Sequence, residues 1–305
     1  MNPGTRIALF FIIIWLPLSV HAQFEEQVAF WQEVEEADRN FSSAATTLGR
    51  TQAFLEVLAE NSVVFRAGPV DAREVYTENQ YLYRLDQVNW RSHYIDVSRA
   101  GDLGVSVGPN RFTSNSGDVL RESYGYIVGI WIKEDGQWKM FADVFVRLPG
   151  YLNLEVKPDF ADTARLLQET APPALVESND LQTLIDADNV FGQSINFRGG
   201  QRAMIRFGLQ NQRVYLPGMA PAVGVDAASA AYGKFMDSHV ATTNPVTMRY
   251  MGGYLASSKE LGVTYGVMAT VTDEGTTGFQ ASYLRVWRFS NANEWRIALE
   301  VVSPF

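Results

Sequence analysis

The sequence repeats itself, and this internal repeat restricts the fold more than any other feature. Five positions near the N-terminus reappear 150 residues later with the same apolar or acidic character. The pairs are Val34 with Leu184, Ala37 with Ala187, Asp38 with Asp188, Phe41 with Phe191 and Ala45 with Ile195. The apolar positions recur at steps of three and four residues, as they do on one face of a helix. Each copy therefore begins with an amphipathic helix whose apolar stripe carries one carboxylate.

Later segments of the two copies also match, at a different spacing. The segment Asp102–Val105 corresponds to Glu260–Val263, which lies 158 residues further on. In the closing segment, Trp131, Trp138 and Asp143 correspond to Trp287, Trp295 and Glu300. A spacing that stays constant within segments and changes between them is what insertions and deletions in loops produce, so the whole folded part of the chain is duplicated.

Each copy shows the same order of elements. An amphipathic helix is followed by a short helix, a short strand, a third helix and four long strands rich in Val, Ile, Tyr, Trp and Thr. Turn residues at hairpin spacing predict that these strands pair antiparallel. The sequence therefore predicts an α+β fold with two tandem cone-shaped domains. Each domain is a curved antiparallel sheet packed with about three N-terminal helices.

Residues 1–22 have the pattern of a secretory signal peptide. Arg6 precedes the apolar run Ile7–Leu16, which is about half of the roughly 20 residues that a bilayer span needs. A small residue, Ala22, ends the segment where a signal peptidase would cut. We therefore expect an exported protein, periplasmic or secreted, that is cleaved near Ala22, stays soluble and keeps no stable membrane anchor.

Composition excludes several classes of site. The chain has no cysteine, so it forms no disulfide, no thiolate metal site and no cysteine nucleophile. The formal net charge is −9, and no run of Lys and Arg supplies the basic face that nucleic-acid binding needs. No element carries two or more His or acidic residues at metal-ligand spacing, so the sequence predicts no metal site.

The expected organisation has four parts. Residues 1–22 form the signal peptide, 23–149 domain 1, 150–178 a linker with one short helix, and 179–305 domain 2. Two tethered copies are present at a high effective concentration for each other. We therefore expect an intramolecular pseudo-dimer, sheet against sheet, in a chain that is monomeric in solution.

The motif Gly101–Gly104 and the closing segment from Trp131 to Asp143 carry a resemblance to a known family. In their order of elements and in these motifs, both copies resemble the nuclear transport factor 2-like superfamily, and most closely its SnoaL-like domains. The resemblance covers nearly all of the chain outside residues 1–22 and the linker, although Lys259 and Glu260 replace the first two residues of the motif in copy two. It implies one pocket per cone. It also implies that reactions such as isomerisation, dehydration, hydrolysis or cyclisation need no cofactor.

Three functions are compatible with these observations. The first is binding of a small, largely apolar molecule in the domain 1 cone. The second is a cofactor-independent lyase or isomerase that uses general acid–base catalysis. The third is a structural or partner-binding module without a ligand. A cavity lined by buried ionisable groups would favour an enzyme, whereas a cone filled by its own side chains would favour a structural module.

Two acids on the last strand of each sheet are the candidate catalytic residues. Asp143 lies between Phe141 and Phe145, and strict alternation places all three on one face of the strand. Glu300 is its counterpart in copy two. A carboxylate in apolar surroundings has a raised pKa, which suits a general acid or base near neutral pH.

Six further residues are candidate ligand-binding residues because they lie on the strands that build the domain 1 cone. They are Trp90, Tyr94, Tyr126, Trp131, Arg91 and His93. Aromatic walls suit an apolar or aromatic ligand, and the arginine and histidine suit a polar group on it.

We predict that the exported protein begins at Gln23, because the small-residue cleavage site ends at Ala22. Intact-mass spectrometry of the exported protein measures this directly. A mass that retains residues 1–22 would contradict the predicted export.

Overall fold

Each half of the chain builds helices first and a sheet afterwards, as the repeat predicts. The computed structural model describes residues 18–78, 86–116, 119–152, 156–240, 245–271 and 277–305. Residues 1–17, which hold most of the predicted signal peptide, lie outside this part, and the first helix begins at Leu18. No helix in the described part of the chain is long and apolar enough to cross a membrane.

The elements of the first half form domain 1. Its helices are α1 (Leu18–Thr47), α2 (Arg50–Val57) and α3 (Ala72–Glu78). Its strands are β1 (Leu58–Arg66), β2 (Gly68–Asp71), β3 (Gln87–Trp90), β4 (Tyr94–Val97), β5 (Leu103–Ser116), β6 (Val119–Glu134) and β7 (Gln137–Leu148). The segment predicted as a linker contains α4 (Phe160–Glu169) and the single turn α5 (Pro173–Val176).

The elements of the second half form domain 2. Its helices are α6 (Leu181–Arg198), α7 (Gly200–Phe207) and α8 (Val225–His239). Its strands are β8 (Gly208–Tyr215), β9 (Ala222–Val223), β10 (Val246–Leu255), β11 (Leu261–Val271), β12 (Thr277–Phe289) and β13 (Trp295–Pro304).

A glycine turn separates the first two helices of each copy. Gly49 has φ of 85° and Gly199 has φ of 78°, a backbone conformation that other residues rarely adopt. The turn folds the second helix back, and both helices bury their apolar stripes. Phe41 of α1 and Phe191 of α6 are almost fully buried, as the periodicity predicts.

The two sheets have matching topology. The first has the order β2-β1-β7-β6-β5-β3, with β4 also paired to β5, and the second has the order β10-β11-β12-β13-β8-β9. The long strands are antiparallel as predicted, but β1 runs parallel to β7 and β8 runs parallel to β13. Both sheets are therefore mixed. Hairpin spacing in the sequence predicts pairs of consecutive strands, and it does not reveal this long-range pairing.

Each sheet is buried on both faces, which gives four layers in the order helices, sheet, sheet, helices. One core lies between α1, α2, α3 and the inner face of the first sheet, and a second core lies between α6, α7, α8 and the second sheet. A third core contains buried side chains from the outer faces of both sheets, such as Val128, Val144, Leu284 and Val301. The two cones thus share a continuous apolar interface.

Equivalent turns of the two domains form hydrogen bonds with each other. They are the turn between β4 and β5 in domain 1 and the turn between β10 and β11 in domain 2. Asp102 Oδ2 accepts a hydrogen bond from the Ser257 backbone N–H at 2.8 Å, and Glu260 Oε1 accepts one from the Arg99 backbone N–H at 2.8 Å. Asp102 corresponds to Glu260 and Arg99 corresponds to Ser257 in the repeat. The contact is therefore reciprocal, as in the isologous interface of a twofold dimer. The duplicated motif positions the two domains against each other.

A buried ion pair also joins the domains. Arg288 Nη2 donates to Asp96 Oδ1 at 2.6 Å and to the Val97 carbonyl at 2.9 Å, while Arg288 Nε donates to Asp96 Oδ2 at 3.2 Å. Both side chains are almost completely buried. The attraction offsets the cost of removing two charges from water only while both partners are present.

We predict that Arg288→Met lowers the free energy of unfolding by about 3–5 kcal/mol, because it leaves the Asp96 carboxylate buried without its cation. The double variant Asp96→Asn/Arg288→Met should recover much of this loss. Urea unfolding followed by tryptophan fluorescence measures both.

The control is Arg206→Met, which breaks the solvent-exposed pair of Arg206 with Glu294 and should change stability by less than about 1 kcal/mol. Equal effects of Arg288→Met and Arg206→Met would show that the interdomain pair does not stabilise the fold.

Candidate functional site

The last strand of each domain in the sequence, β7 or β13, contains a β-bulge. This bulge directs one acidic side chain toward the interior of the cone. On β7, Ile130 pairs with Ala142 and Trp131 pairs with Met140, so Phe141 has no partner across the ladder. The equivalent bulge on β13 leaves out Ala298. Both bulge residues join the core between the sheets. The expected alternation does not hold across a bulge, so the helix-side neighbour of Asp143 is Met140 and not Phe141.

Asp143 lies at the wall of an open cavity in domain 1. The cavity has a volume of about 430 Å³ and is lined by Asp143, Asn110, Phe112, Phe145 and others. Asp143 Oδ1 and Asn110 Oδ1 are buried and have no hydrogen-bond partner among the described residues. Burial raises the pKa of Asp143 from 3.8 to about 6, while the nearby guanidinium groups of Arg50 and Arg66 oppose this increase. Two residues that line the cavity therefore each have a buried acceptor oxygen without a partner among the described residues.

Two arginines and a tyrosine surround Asp143 on the cavity side. Arg50 begins α2, and its guanidinium carbon lies 5.5 Å from the ring centre of Tyr76 and 5.1 Å from that of Phe112. Arg66 ends β1, lies 6.0 Å from the Tyr76 ring, and donates from Nη1 to the Phe65 carbonyl. Both arginines line the cavity. Aromatic rings thus hold two cations around an acid, and none of these contacts neutralises it through a hydrogen bond.

Glu300, the counterpart of Asp143, has a different environment. Arg285 donates from Nε to Glu300 Oε2 at 2.6 Å and from Nη2 to Oε1 at 3.1 Å, and its Nη1 donates to Asp188 Oδ1 at 2.7 Å. All three side chains are almost fully buried. Burial disfavours the charge on Arg285, yet Glu300 and Asp188 together raise its pKa well above the ordinary value. Arg285 therefore occupies acceptor sites on both oxygens of the Glu300 carboxylate.

This difference follows from two positions of the repeat. At one of them domain 1 has glycine and domain 2 has arginine, and at the other the two residues are interchanged. Gly129 pairs with Asp143 across the sheet, and Arg285 pairs with Glu300 at the equivalent place. Conversely, Arg50 of domain 1 corresponds to Gly200 of domain 2. Each cone therefore has an arginine near its acid at a position where the other copy has glycine, and the two arginines come from different elements, α2 in domain 1 and β12 in domain 2.

Two further residues that line the domain 1 cavity are polar, whereas the corresponding residues of domain 2 are apolar. Arg66 corresponds to Leu216, and Asn110 corresponds to Met268. Leu216 and Met268 are almost fully buried in the domain 2 core. The fold is built in domain 2 without these polar groups, so domain 1 does not need them for folding.

Trp90 and Trp131, two of the predicted ligand-binding residues, belong to a hydrogen-bonded core around Asp38. Trp90 Nε1 lies 3.2 and 3.1 Å from the two Asp38 oxygens. Ser92 Oγ and Ser106 Oγ also donate to this carboxylate, and Trp131 Nε1 donates to Ser106 Oγ at 2.9 Å. This carboxylate ties α1 to the sheet. Neither tryptophan is among the residues that line the 430 Å³ cavity.

The structure places Tyr94, Tyr126 and His93 outside the domain 1 cone, which corrects their expected location. They lie at the interface with domain 2, where His93 Nε2 is 3.1 Å from the Tyr215 hydroxyl and the rings of Tyr126 and Tyr215 are 5.3 Å apart. Burial lowers the pKa of His93 to about 4, and Arg213 adds to this effect. Because both faces of the sheet are apolar, alternation in the sequence does not tell which face looks into the cone.

Arg91 is exposed and also lies outside the cone. It lines a polar groove of about 600 Å³ between α1 and β3, together with Arg39, Lys157 and several Ser and Thr hydroxyls. Among the described residues, no group of three or more His, Cys, Asp or Glu side chains is placed to hold a metal ion.

Sequence reasoning missed the polar residues that do line the cavity. Arg50, Arg66 and Asn110 come from α2, β1 and β5, which are far apart in the sequence. A signal was present in the repeat: at these positions copy one is polar, and copy two has Gly200, Leu216 or Met268.

Asp143→Asn and Glu300→Gln should change stability in opposite directions. The pKa of Asp143 is higher in the folded than in the unfolded chain, so its ionised form destabilises the fold as pH rises through about 6. Asp143→Asn removes this cost, and its stability advantage over wild type should grow between about pH 4 and pH 6 to roughly 1–3 kcal/mol and level off above that range. Glu300→Gln should lower stability by about 3–5 kcal/mol, because it removes a partner of buried Arg285.

Urea unfolding at a series of pH values measures these effects. A large loss of stability in Asp143→Asn at about pH 8 would show that Asp143, like Glu300, is a structural acid.

No protein-family model matches the sequence, and no curated protein matches it. Several solved structures are similar to part of the chain. A ketosteroid isomerase-like protein from Erwinia carotovora atroseptica SCRI1043 is 17% identical, with 42% of this chain and 98% of that protein covered and a TM-score of 0.35. An NTF-2 like protein of unknown function from Shewanella oneidensis MR-1 is 12% identical, covers 40% of this chain and 98% of its own, and has a TM-score of 0.33. A protein of unknown function with a cystatin-like fold from Nostoc punctiforme PCC 73102 is 11% identical, with a coverage of 41% and 91% and a TM-score of 0.34.

Proposed function

We propose that the protein binds a small molecule in the cone of domain 1. The observation that carries this proposal is the pair of buried, unpartnered oxygens, Asp143 Oδ1 and Asn110 Oδ1, at the wall of one cavity. Buried polar atoms are nearly always hydrogen-bonded, so a cavity with two unsatisfied polar side chains at its wall is suited to a ligand with a polar group. Apolar side chains such as Phe54 and Phe65 form much of the rest of the wall.

In this proposal domain 2 acts as a scaffold. Its own acid is saturated by Arg285, and the polar cavity residues of domain 1 are apolar there. Domain 2 also contributes Ser303, Pro304 and Phe305 to the lining of the domain 1 cavity, and Ser303 Oγ donates to the Phe145 carbonyl at 3.0 Å. The second domain thus supplies one wall of the binding site, which gives a reason for its fixed position.

A second candidate function is catalysis without a cofactor. Asp143 favours it, because a carboxyl with a pKa of about 6 and a free oxygen in a cavity is suited to accept or donate a proton near neutral pH. The reaction would be an isomerisation or elimination in which Asp143 moves one proton. In an enzyme of this kind, Asp143→Asn would abolish turnover and retain binding.

The setting of this function is also a proposal. The pattern of residues 1–22 supports export to the periplasm or the medium. The reciprocal contacts of Asp102 and Glu260 support a pseudo-dimer within a monomeric chain.

Asn110→Met tests the binding site, since it places in domain 1 the residue that fills the same position in domain 2. A fragment library screened by ligand-observed NMR should yield compounds that bind wild type with one site per chain and bind Asn110→Met at least about tenfold more weakly, a difference of about 1.4 kcal/mol. The control Thr247→Met introduces the same side chain at an exposed position of β10 and should leave binding unchanged.

Compounds that bind Asn110→Met as tightly as wild type would contradict the proposed site. A library that yields no binder at millimolar concentration would contradict the proposed function.

A further inference from the structure

The domain 1 cavity has a charge opposite to that of the whole protein. The chain has a formal net charge of −9. The cavity lining contains three arginines, Arg50, Arg66 and Arg147, and one acid, Asp143. In an acidic protein, the side chains at the wall of this cavity thus have an excess of two positive charges.

These arginines occur in domain 1 and are absent from the corresponding positions of domain 2, which has the same fold. The corresponding residues of domain 2 are Gly200, Leu216 and Pro304. Domain 2 forms the same helices and strands around them without a cation at any of the three positions. The shared fold therefore does not require arginine at these three positions.

Their placement suits the recognition of an anion. Arg66 lines the cavity, and Arg147 lies exposed at its rim. Guanidinium groups bind carboxylates through paired, charge-assisted hydrogen bonds, and these bonds are stronger where water is excluded. Most of the remaining lining residues, among them Phe54, Phe65 and Ile127, are apolar.

We propose that the ligand of domain 1 is an amphipathic organic acid, whose carboxylate lies against Arg66 and Arg147 and whose apolar body lies against the phenylalanines of the cavity. This inference rests on the proposed binding function and specifies its ligand class. A cavity of about 430 Å³ is within the range for small-molecule sites.

Asp143 couples this binding to protonation. It faces Arg50 from α2, Arg66 from β1 and Tyr76 from α3, with Asp38 of α1 also close enough to act on it. A ligand carboxylate would be repelled by the ionised Asp143 and would accept a hydrogen bond from the protonated form. Binding should therefore take up a proton and weaken as pH rises through about 6.

Three probes with one apolar body and different head groups test the proposal: 4-phenylbutyrate, 4-phenylbutan-1-ol and 4-phenylbutylamine. Titration calorimetry at about pH 5.5 should show that the acid binds wild type at least about tenfold more tightly than the alcohol or the amine. Arg66→Leu, which introduces the residue of domain 2, should remove this preference and leave the affinity for the alcohol unchanged.

Arg147→Gln is a second variant at an exposed position, and it should weaken binding of the acid alone. The matched control Arg249→Leu removes an exposed arginine of domain 2 and should have no effect. In Asp143→Asn, the affinity for the acid should no longer change across about pH 5 to 8.

The outcomes separate the two proposals. If the alcohol or the amine binds wild type as tightly as the acid, and Arg66→Leu binds all probes as wild type does, the ligand is not an acid, although the cavity still binds small molecules. If no probe binds wild type at millimolar concentration, the proposed function itself is contradicted. Circular dichroism and thermal melts of each variant confirm that a loss of binding is not a loss of fold.

Discussion

A carboxylate buried on the last strand of a sheet requires a compensating partner, and the rest of this molecule depends on how each copy meets that requirement. Domain 2 meets it with Arg285, which binds both oxygens of Glu300 from the neighbouring strand. Domain 1 has Gly129 at that place, and its cations come from α2 and β1 without saturating Asp143. One arrangement closes a core, and the other leaves a cavity with an acid at its wall.

Burial of both sheet faces explains why the two cones act as one unit. The outer face of each sheet is as apolar as its inner face, so neither domain could expose it to water without a large cost. The reciprocal contacts of Asp102 and Glu260 fix the register of this interface, and the Asp96 to Arg288 pair makes separation of the domains costly. The same interface brings Pro304 of domain 2 to the domain 1 cavity. Separation of the two domains would therefore both lower stability and remove part of the wall of the domain 1 cavity.

The sequence predicted the repeat and the order of elements, because these follow from periodicity and from matched positions. From the same matching it proposed Asp143 and Glu300 alike as pocket acids. It did not separate the two faces of a sheet that is apolar on both, so Tyr126 and His93 were expected in the cone and lie at the interface. Strict alternation also does not hold at the bulge of Phe141, which no local pattern marks. The cavity arginines were missed for another reason: the matching of the copies was used to find similarity, whereas these arginines lie where the copies differ.

The central claim is that the domain 1 cone takes up a ligand and the domain 2 cone does not. Methionine methyl groups report on both interiors, since Met140 lies in the first core and Met204, Met236 and Met268 lie in the second. Methyl NMR of protein labelled at methionine, titrated with 4-phenylbutyrate, tests the claim most directly, with methionine substitutions to assign the signals. The account predicts a saturable shift of the Met140 signal, with the signals of Met204, Met236 and Met268 unchanged. Shifts of the domain 2 signals with Met140 unaffected would contradict it.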